Sequence, residues 1–307
     1  MMTRELNTEL NGIAPSLHTP FNDDQSIDYI SLKKLLEHTI ETKCSGMLIG
    51  AVAGETQNLS FDEKIKLMCF AIEQVENRIP VIVGCSASNQ EQRIKLAKAA
   101  KSNGANWFLV QSPDNLKGKK LIECFNEIAS FGPKNLMIQD LSWYDNGLSD
   151  DDIINLYSEV SNFNALKIEV VNSGPKYSRI KNLTNNSLHL SGGWAVSGLI
   201  EAIDRGVHSF IPSTMEVIFN AIYNLTIKGN VEKARNLFNL ILPIISFTHQ
   251  HIDISIKFSK MLRVQEGIFN TSICRGSIKN FDNYQIKETK ILIERIIYLQ
   301  DEYKLLN

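Results

Sequence analysis

Eight short apolar runs alternate with amphipathic segments over the first 211 residues, and this alternation limits the possible folds more than any other feature. Apolar runs separated by segments of helical period are typical of parallel β-strands joined by α-helices. The runs lie at 12–18, 46–51, 80–84, 106–111, 135–139, 164–170, 187–191 and 207–211. Eight strand–helix units in succession predict an α/β fold, a single (β/α)8 TIM barrel. No G-x-G-x-x-G sequence follows the first run, which weighs against a doubly wound nucleotide-binding sheet.

The segments between and after these runs have the period of amphipathic helices. Segments 28–43 and 89–103 repeat apolar residues along one helical face. After residue 212 the pattern is helical only, at 213–228, 231–250 and 284–305. We therefore expect a barrel over 1–228 and a C-terminal helical extension over 229–307. Because no Pro/Gly-rich linker separates them, the extension should pack on the barrel.

Composition excludes several classes of function. The net charge of −2, without a basic stripe, argues against a nucleic-acid partner. No apolar run reaches the ~18 residues that span a bilayer, so no membrane partner is expected. The cysteines, Cys44, Cys69, Cys85, Cys124 and Cys274, are dispersed, which predicts free thiols in a reducing compartment and no metal site. Since the N-terminal MMTRELNTELNG is unlike a secretory signal, the predicted location is the cytoplasm.

One lysine stands inside an apolar strand. Lys167 lies between Leu166 and Ile168 in the sixth predicted strand, although lysine is rarely buried. Burial disfavours the ammonium ion and favours the free amine, which can attack a carbonyl carbon. The alternative interpretation is a lysine at a strand end whose amine reaches solvent.

A carboxylate follows Lys167 at strand spacing. Glu169 lies two residues later, so on a strand both side chains point to the same side, into the barrel. As a general base, Glu169 would move protons during catalysis. As a counter-ion, it would favour the ammonium form of Lys167 and oppose its nucleophilicity. The sequence leaves both roles open.

Several motifs occur in register along nearly the whole chain. They are GIAPSLHTPF at the start, GAVAGETQNLS after the second strand, PVIVG at the third, ALKIEVV at the sixth, and LSGGWAVSGLIEAIDRGVHSFIPST beyond it. Together they resemble the dihydrodipicolinate synthase and N-acetylneuraminate lyase family of class I Schiff-base aldolases. The resemblance implies a barrel with C-terminal helices, a homo-oligomer (tetramer or dimer), and no metal or organic cofactor. It also implies that Lys167, at the position of the family's strand-six lysine, forms an imine with pyruvate or another 2-keto acid.

Three hydroxyl groups of the family's usual proton relay are missing from the matching positions. The threonine pair before the Gly-Glu of the second strand is Val52-Ala53 here, and the strand-five tyrosine matches Gln139. The tyrosine that a neighbouring subunit lends is replaced by Asp114 or Asn115. Imine chemistry needs a group that moves protons. Either the relay is rebuilt from other residues or the activity is lost.

Other matching positions indicate a divergent branch of the family. The arginine that binds the second carboxylate in dihydrodipicolinate synthases has no counterpart, since Trp143 and Tyr144 occupy that stretch. Those two aromatic residues form either a lid over the pocket or a cover for the barrel rim. The Lys-x-Glu pair, Gln-Asp at strand five, and GPK after strand six resemble a poorly characterised group of relatives.

The resemblance assigns six positions to substrate binding: Val52, Ala53, Gly54, Gln139, Gly192 and Ile211. Backbone N–H groups in the turn at Gly54 are expected to bind a carboxylate in place of the lost hydroxyls, and Glu55 is expected to brace that turn. Gln139 should face the pocket and orient a substrate hydroxyl or carboxylate. Asp140 should point the opposite way and be structural.

Further polar residues have structural interpretations. Ser16 and His18 alternate into the barrel on strand one, where a lone histidine is more often a satisfied core residue than a catalyst. Arg263, Arg275 and Lys279 in the C-terminal region are expected to be solvated or inter-subunit charges.

Three functions remain in view. The first is a lyase or aldolase that forms a Schiff base between Lys167 and a 2-keto acid, of pyruvate type or a 2-keto-3-deoxy sugar acid. The second is a dehydratase or a condensing synthase that uses the same imine. The third is a barrel that has lost turnover and serves in binding or regulation, although such a barrel has little need for a costly buried amine.

Overall fold

The predicted barrel is present in the computed structural model, which describes residues 5–278 and 280–304, except the side chains of Trp194 and Ala195. Its strands are β1 (Gly12–Ile13), β2 (Met47–Ile49), β3 (Val81–Gly84), β4 (Trp107–Gln111), β5 (Asn135–Leu141), β6 (Phe163–Glu169), β7 (His189–Gly192) and β8 (Ser209–Phe210). All are parallel, and hydrogen-bonded neighbours follow the order β1-β8-β7-β6-β5-β4-β3-β2. The (β/α)8 TIM barrel is confirmed, with each predicted run on a strand.

The barrel closes between the first two strands through a short irregular contact. Ser16 and Leu48 form an isolated parallel bridge, in which the Leu17 N–H donates to the Leu48 carbonyl and the Leu48 N–H donates to the Pro15 carbonyl, each at 2.8 Å. Pro15 has no N–H group and cannot continue a regular ladder. The first strand is therefore shorter than the predicted 12–18.

The helices of the described residues surround the strands and extend beyond them. They are α1 (Tyr29–Glu41), α2 (Phe61–Val75), α3 (Gln90–Ser102), α4 (Gly118–Phe131), α5 (Asp150–Glu159), α6 (Ser173–Leu183), α7 (Leu199–Asp204), α8 (Glu216–Ile227), α9 (Val231–Thr248), α10 (Ile252–Gln265) and α11 (Asn283–Tyr303). Side chains of Asp28, Ser60 and Ser149 accept hydrogen bonds from first-turn N–H groups, so α1, α2 and α5 begin at these caps.

Helix α10 is the element that the sequence pattern does not predict. Its buried face includes Ser255, Ser259, Lys260 and Arg263 beside apolar residues. Polar and charged residues on the buried face remove the apolar period from which a helix is usually predicted.

Strand β6 divides the two hydrophobic cores. Leu166 and Ile168 are fully buried in the large core between the strands and the helices. Ala165 belongs to a separate buried cluster inside the barrel, together with Leu10, Leu48, Ala51, Ile82, Trp107, Leu109, Met137 and Ile211. Because side chains alternate along a strand, Lys167 and Glu169 share the inner face with Ala165.

The C-terminal helices pack on one another and on the barrel. Helix α8 contacts β1, α9 and α11, and α10 contacts the turn that follows β2. The exact division of the chain at residue 228 stays a prediction.

Three kinds of structural feature are absent from residues 5–278 and 280–304: a membrane-spanning helix, a disulfide bond and a metal-binding cluster. None of these helices combines the length and the apolar composition that a bilayer span requires. All five cysteines are free. No group of three or more His, Cys, Asp or Glu side chains in these ranges is arranged to hold a metal ion.

Candidate active site

Lys167 lies inside the barrel, near the C-terminal end of β6. Its Cα is paired with Gln139 on β5 and with Ser191 on β7. The side chain is only 5% exposed, and its Nζ lies 2.8 Å from Oε2 of Glu169. The amine is thus held in a buried ion pair and does not extend to solvent.

The carboxylate of Glu169 receives a second hydrogen bond. Gln139 donates through Nε2 to Oε2 of Glu169 at 2.5 Å, the same oxygen that faces Lys167. The Lys167 amine and the Gln139 amide thus converge on one oxygen of Glu169. The three side chains form one connected group on the adjacent strands β5 and β6.

Space beside this group depends on a glycine after β7. A Cβ at Gly193 would lie 1.9 Å from Oε1 of Glu169 and 2.7 Å from Cε of Lys167, so no side chain fits there. Gly193 lines the cavity, whereas Gly192 does not. The carbonyl of Gly192 instead accepts the Ile211 N–H at 2.7 Å. Gly193 is therefore the glycine that lies beside the Lys167–Glu169 pair, and Gly192 directly precedes it.

A cavity opens over Lys167 at the C-terminal ends of the strands, where TIM-barrel enzymes have their sites. Of the predicted substrate-binding residues, Val52, Ala53, Gln139 and Ile211 line it. The aliphatic side chains of Val52 and Ala53 supply no hydroxyl group. Proton transfer in this cavity must therefore use other residues.

The size of the cavity suits a short substrate. Its volume is about 80 Å³, and one water molecule needs roughly 10–15 Å³ on a comparable scale. The space holds roughly five to eight water-sized groups by this measure. A second cavity of about 340 Å³ lies beside the first, and Trp143 and Glu169 line both.

Several polar side chains that line the cavity lie outside the predicted set. They are Ser213, Thr214, Thr248, His249, Ser255 and Ser259, next to the previously considered Ser16. Burial lowers the pKa of His249 to about 4, so its imidazole is neutral at neutral pH. Ser255 and Ser259 stand four residues apart, on one helical face. The four-residue spacing indicates that Ser255 and Ser259 are neighbours only if they lie on a helix, and the sequence pattern does not predict a helix there.

The turn after β2 forms one wall of the cavity. Residues Val52–Gly54 make a single 3-10 turn, whose first N–H groups have no partner within the turn. Gly54 lies behind the wall rather than in it. Its carbonyl accepts the Thr19 hydroxyl at 2.7 Å, and an added Cβ would lie 2.9 Å from the Leu17 carbonyl oxygen.

Glu55 anchors this turn to the C-terminal region. Its backbone is left-handed, with φ of 57°, and its carboxylate forms a fully buried ion pair with Lys260. The Arg275 N–H also donates to Oε1 of Glu55 at 2.7 Å. Lys260 donates in addition to the Ile273 carbonyl at 2.8 Å. Helix α10 thus supports the wall of the cavity from behind.

The prediction of solvated or inter-subunit charges is wrong for Arg263. Its guanidinium is fully buried and paired with Glu216 and Glu266. Arg275 is 14% exposed, lies 2.7 Å from Glu63, and stacks over Phe21. Lys279 lies outside the described residues.

His18 is buried and lies away from the cavity lining. Neither ring nitrogen has a hydrogen-bond partner among the described residues. Burial, with a smaller effect of the charges on Lys260 and Arg263, lowers the pKa of His18 to about 3. The ring is therefore neutral and is not placed to exchange protons with a substrate.

The loops after β4 and β5 place the remaining predicted residues. Trp143 lines the cavity, while Tyr144 beside it is 93% exposed. Asp114 lies in a separate surface cleft with both aromatic residues. Asn115 is exposed. Neither Asp114 nor Asn115 lines the cavity around Lys167 in this chain.

The buried Glu55–Lys260 pair predicts a large loss of stability in Lys260→Met. This variant leaves a buried carboxylate without its cation, and breaking such a pair typically costs about 3–5 kcal/mol. The free energy of unfolding in urea measures the loss. The matched control is Lys95→Met, whose pair with Glu91 is exposed and contributes little because solvent screens it. Equal losses in both variants would contradict a stabilising role for the buried pair.

Comparison with known proteins places these features in a family. The sequence profile of the dihydrodipicolinate synthetase family matches residues 9–295. A 4-hydroxy-tetrahydrodipicolinate synthase from Leuconostoc mesenteroides is 34% identical over 153 residues, which cover 48% of this chain and 53% of that enzyme. The chain thus spans about half the length of that curated relative.

Two solved structures share the fold at low sequence identity. Dihydrodipicolinate synthase from Rhodopseudomonas palustris superposes with a TM-score of 0.86 at 21% identity, covering 95% of this chain and 99% of that chain. N-acetylneuraminate lyase from Fusobacterium nucleatum superposes with a TM-score of 0.83 at 19% identity, covering 94% and 99%. At these identities the two structures support the fold alone.

Proposed function

Because the chain belongs to the dihydrodipicolinate synthetase family, we propose that it is a Schiff-base-forming lyase or aldolase that acts on a 2-keto acid through Lys167. The observation that supports this most is the buried contact of 2.8 Å between Lys167 and Glu169 at the base of the cavity. A lysine in this position needs only to lose a proton to become a nucleophile. The acceptor for that proton is already in contact with it.

The two interpretations of Glu169 describe successive states of one residue. At rest, its carboxylate is the counter-ion of the Lys167 ammonium group. When a keto acid enters, Glu169 takes one ammonium proton, and the free amine attacks the C2 carbonyl carbon. A proton then passes from the attacking nitrogen to the alkoxide oxygen and gives the carbinolamine. Glu169 then returns the proton to the carbinolamine hydroxyl, which leaves as water and yields the iminium ion. Gln139, hydrogen-bonded to Oε2 of Glu169, keeps the carboxylate oriented throughout.

Bond cleavage follows from the iminium ion. The cation accepts the electron pair of the C3–C4 bond, while a base removes the proton of a C4 hydroxyl, so that an aldehyde and an enamine form. Glu169 is ionised again at this stage and is the base nearest to the Lys167 nitrogen among the described lining residues. The enamine is protonated at C3, and hydrolysis then releases pyruvate and the amine.

The substrate carboxylate is assigned to the turn after β2. Val52 and Ala53 line the cavity, and the unpaired N–H groups at the start of a helical turn bind anions. Gly54 supports this site by allowing the turn to approach Leu17. Ile211 closes the opposite side as an apolar contact.

Charge in the cavity favours the lyase reaction over condensation with a second acidic substrate. Among the described residues that line the cavity, Lys167 is the one Lys or Arg residue and Glu169 is the one Asp or Glu residue. A second carboxylate would find no further cation there, and an unpaired buried charge is costly. No metal or organic cofactor enters the proposed chemistry, and the substrate is a small molecule.

An assay of pyruvate release tests the reaction. The protein would be incubated with 4-hydroxy-2-keto acids of increasing chain length, and pyruvate would be measured with a coupled dehydrogenase. We expect release from at least one compound in the series. If no compound released pyruvate, and the protein instead condensed pyruvate with an aldehyde that carries its own carboxylate, the protein would be a condensing synthase and not a lyase.

We further propose that the chain forms a homo-oligomer in the cytoplasm, a tetramer or a dimer. The support is exposed apolar surface on the C-terminal helices, at Ile227, Leu240, Leu242, Ile291 and Tyr298. Light scattering at micromolar concentration should report two or four times the 34.6 kDa of one chain. A monomeric mass would contradict the proposal.

A further inference from the structure

Another buried ion pair lies behind the active site and is not used by the proposed chemistry. Lys176, in the GPK sequence of α6, is 2% exposed and pairs with Asp140 on β5, which is also 2% exposed. Asp140 immediately follows Gln139, so on the strand its side chain points away from the cavity. The Lys176–Asp140 pair therefore lies on the outer face of β5. The same strand carries Gln139, the hydrogen-bond partner of Glu169.

The ammonium group of Lys176 uses all three of its donors. It donates to Oδ2 of Asp140 at 2.5 Å, and to the carbonyls of Asn146 and Leu148 at 2.6 Å each. The other Asp140 oxygen, Oδ1, accepts the Leu148 N–H at 2.8 Å. Two carbonyls and one N–H of the loop after β5 are thus fixed by a single buried pair.

The loop is shaped around this pair. Gly147 has a φ of +65°, and a Cβ there would lie 2.1 Å from Oδ1 of Asp140. The loop also closes on itself, because the Asp145 N–H donates to the Ser142 hydroxyl at 3.2 Å. At its start, the Ser142 N–H donates to the Glu169 carbonyl at 3.0 Å. Hydrogen bonds thus hold loop 142–148 at its start beside β6 and at its end at Leu148.

Trp143 connects the loop to the active site. It is 43% exposed and lines both the cavity over Lys167 and the adjoining outer cavity. Its position depends on the loop that Lys176 and Asp140 hold. A buried ammonium group is costly, and a side chain needed only to fill space at this position would be apolar. The three satisfied acceptors indicate that the charge specifies the loop conformation.

We propose that Lys176 is a positioning residue which, through Asp140 and the carbonyls of residues 146 and 148, holds loop 142–148 so that Trp143 forms a wall of the Lys167 cavity. The effect of Lys176 on catalysis rests on the proposed function. The effect of Lys176 on the loop can be measured without a substrate. Without the ammonium group, the loop loses the two contacts made by its carbonyls at Asn146 and Leu148, and Trp143 moves away from the cavity.

Proteolysis and fluorescence test the loop directly. In Lys176→Met, chymotrypsin should cleave after Trp143 or Tyr144 on the order of tenfold faster or more, because cleavage follows the population of the open loop. The Trp143 emission, taken as the difference from a Trp143→Phe background, should shift to longer wavelength. With a keto acid substrate, KM should rise about tenfold or more while Lys167 still forms its reduced adduct.

The matched control is Lys181→Met on the same helix. Lys181 donates to the Arg205 carbonyl at 3.1 Å and makes no contact with the loop. It should change neither cleavage nor emission. If Lys176→Met does not fold, the double variant Asp140→Leu/Lys176→Met removes both charges and retains apolar packing. Wild-type cleavage and emission in whichever variant folds would overturn the proposal. An absence of any keto-acid adduct in the wild-type protein would instead overturn the proposed function and leave the loop measurements valid.

Discussion

Replacing Lys167 with methionine should abolish turnover of the 2-keto acid substrate while the barrel remains folded. Methionine has a similar length and suits a site that is 5% exposed, but it provides no amine for the imine. Loss of a covalent nucleophile reduces kcat on the order of 10⁶-fold in a well-studied protease, so activity should fall to the background. Steady-state kinetics with the best substrate from the pyruvate-release series measures the effect.

Lys167→Arg is the charge-matched companion to this variant. It retains a cation beside Glu169, but a guanidinium does not lose its proton and cannot form the imine. Equal loss in both variants would assign the effect to the nucleophile rather than to the charge. Turnover within about tenfold of wild type in either variant would contradict covalent catalysis at this residue.

Replacing Glu169 with glutamine should slow turnover by about 10²–10⁴-fold, the usual contribution of a positioned acid or base. The side chain keeps its size, and its amide oxygen can still accept from Gln139, so the local packing is retained. The imine should still form slowly, because Lys167 can lose its proton to water. A pH–rate profile of both proteins separates the roles, since loss of a base removes its limb of the profile.

The control for Glu169→Gln is Glu91→Gln. Glu91 lies on α3, lines neither cavity, and pairs with Lys95 at the protein surface, so this variant removes one negative charge away from the site. Its turnover should stay close to that of wild type. If Glu169 were only a counter-ion, Glu169→Gln would leave turnover similar or faster at neutral pH, because the free amine would be favoured. That outcome would contradict the base role.

The alternation of apolar runs with amphipathic segments predicts most of the fold. Strand runs and amphipathic helices follow from side-chain period, and the period also placed Lys167 and Glu169 on one side of β6. Gln139 joined them because it is in phase on the neighbouring strand. These predictions depend on local geometry, which a single sequence contains.

The remaining features depend on contacts between distant segments. Helix α10 was missed because Lys260 and Arg263 are buried by pairing with Glu55 and Glu216, which lie far away in sequence. A charged residue is buried only when such a partner is present. Because the sequence does not predict α10, it also does not predict the hydroxyl groups of Ser255 and Ser259, which this helix contributes to the cavity.

Two adjacent glycines show another limit of the sequence pattern. Gly192 and Gly193 stand together at the end of β7, and sequence phase cannot tell which one faces the carboxylate of Glu169. The structure separates them, since only at Gly193 would a Cβ overlap Glu169 and Lys167. Close approach between side chains of different strands is a property of the folded barrel.

Reductive trapping tests most directly whether Lys167 forms the imine. The wild-type protein would be incubated with pyruvate and borohydride, digested, and sequenced by mass spectrometry, with Lys167→Met treated in parallel. We expect a stable N-(1-carboxyethyl) adduct, the reduced pyruvate imine, on the peptide that contains Lys167 and on no peptide of the variant. An adduct on another lysine, or none with pyruvate or any longer 2-keto acid, would contradict the assignment of Lys167 as the imine-forming residue.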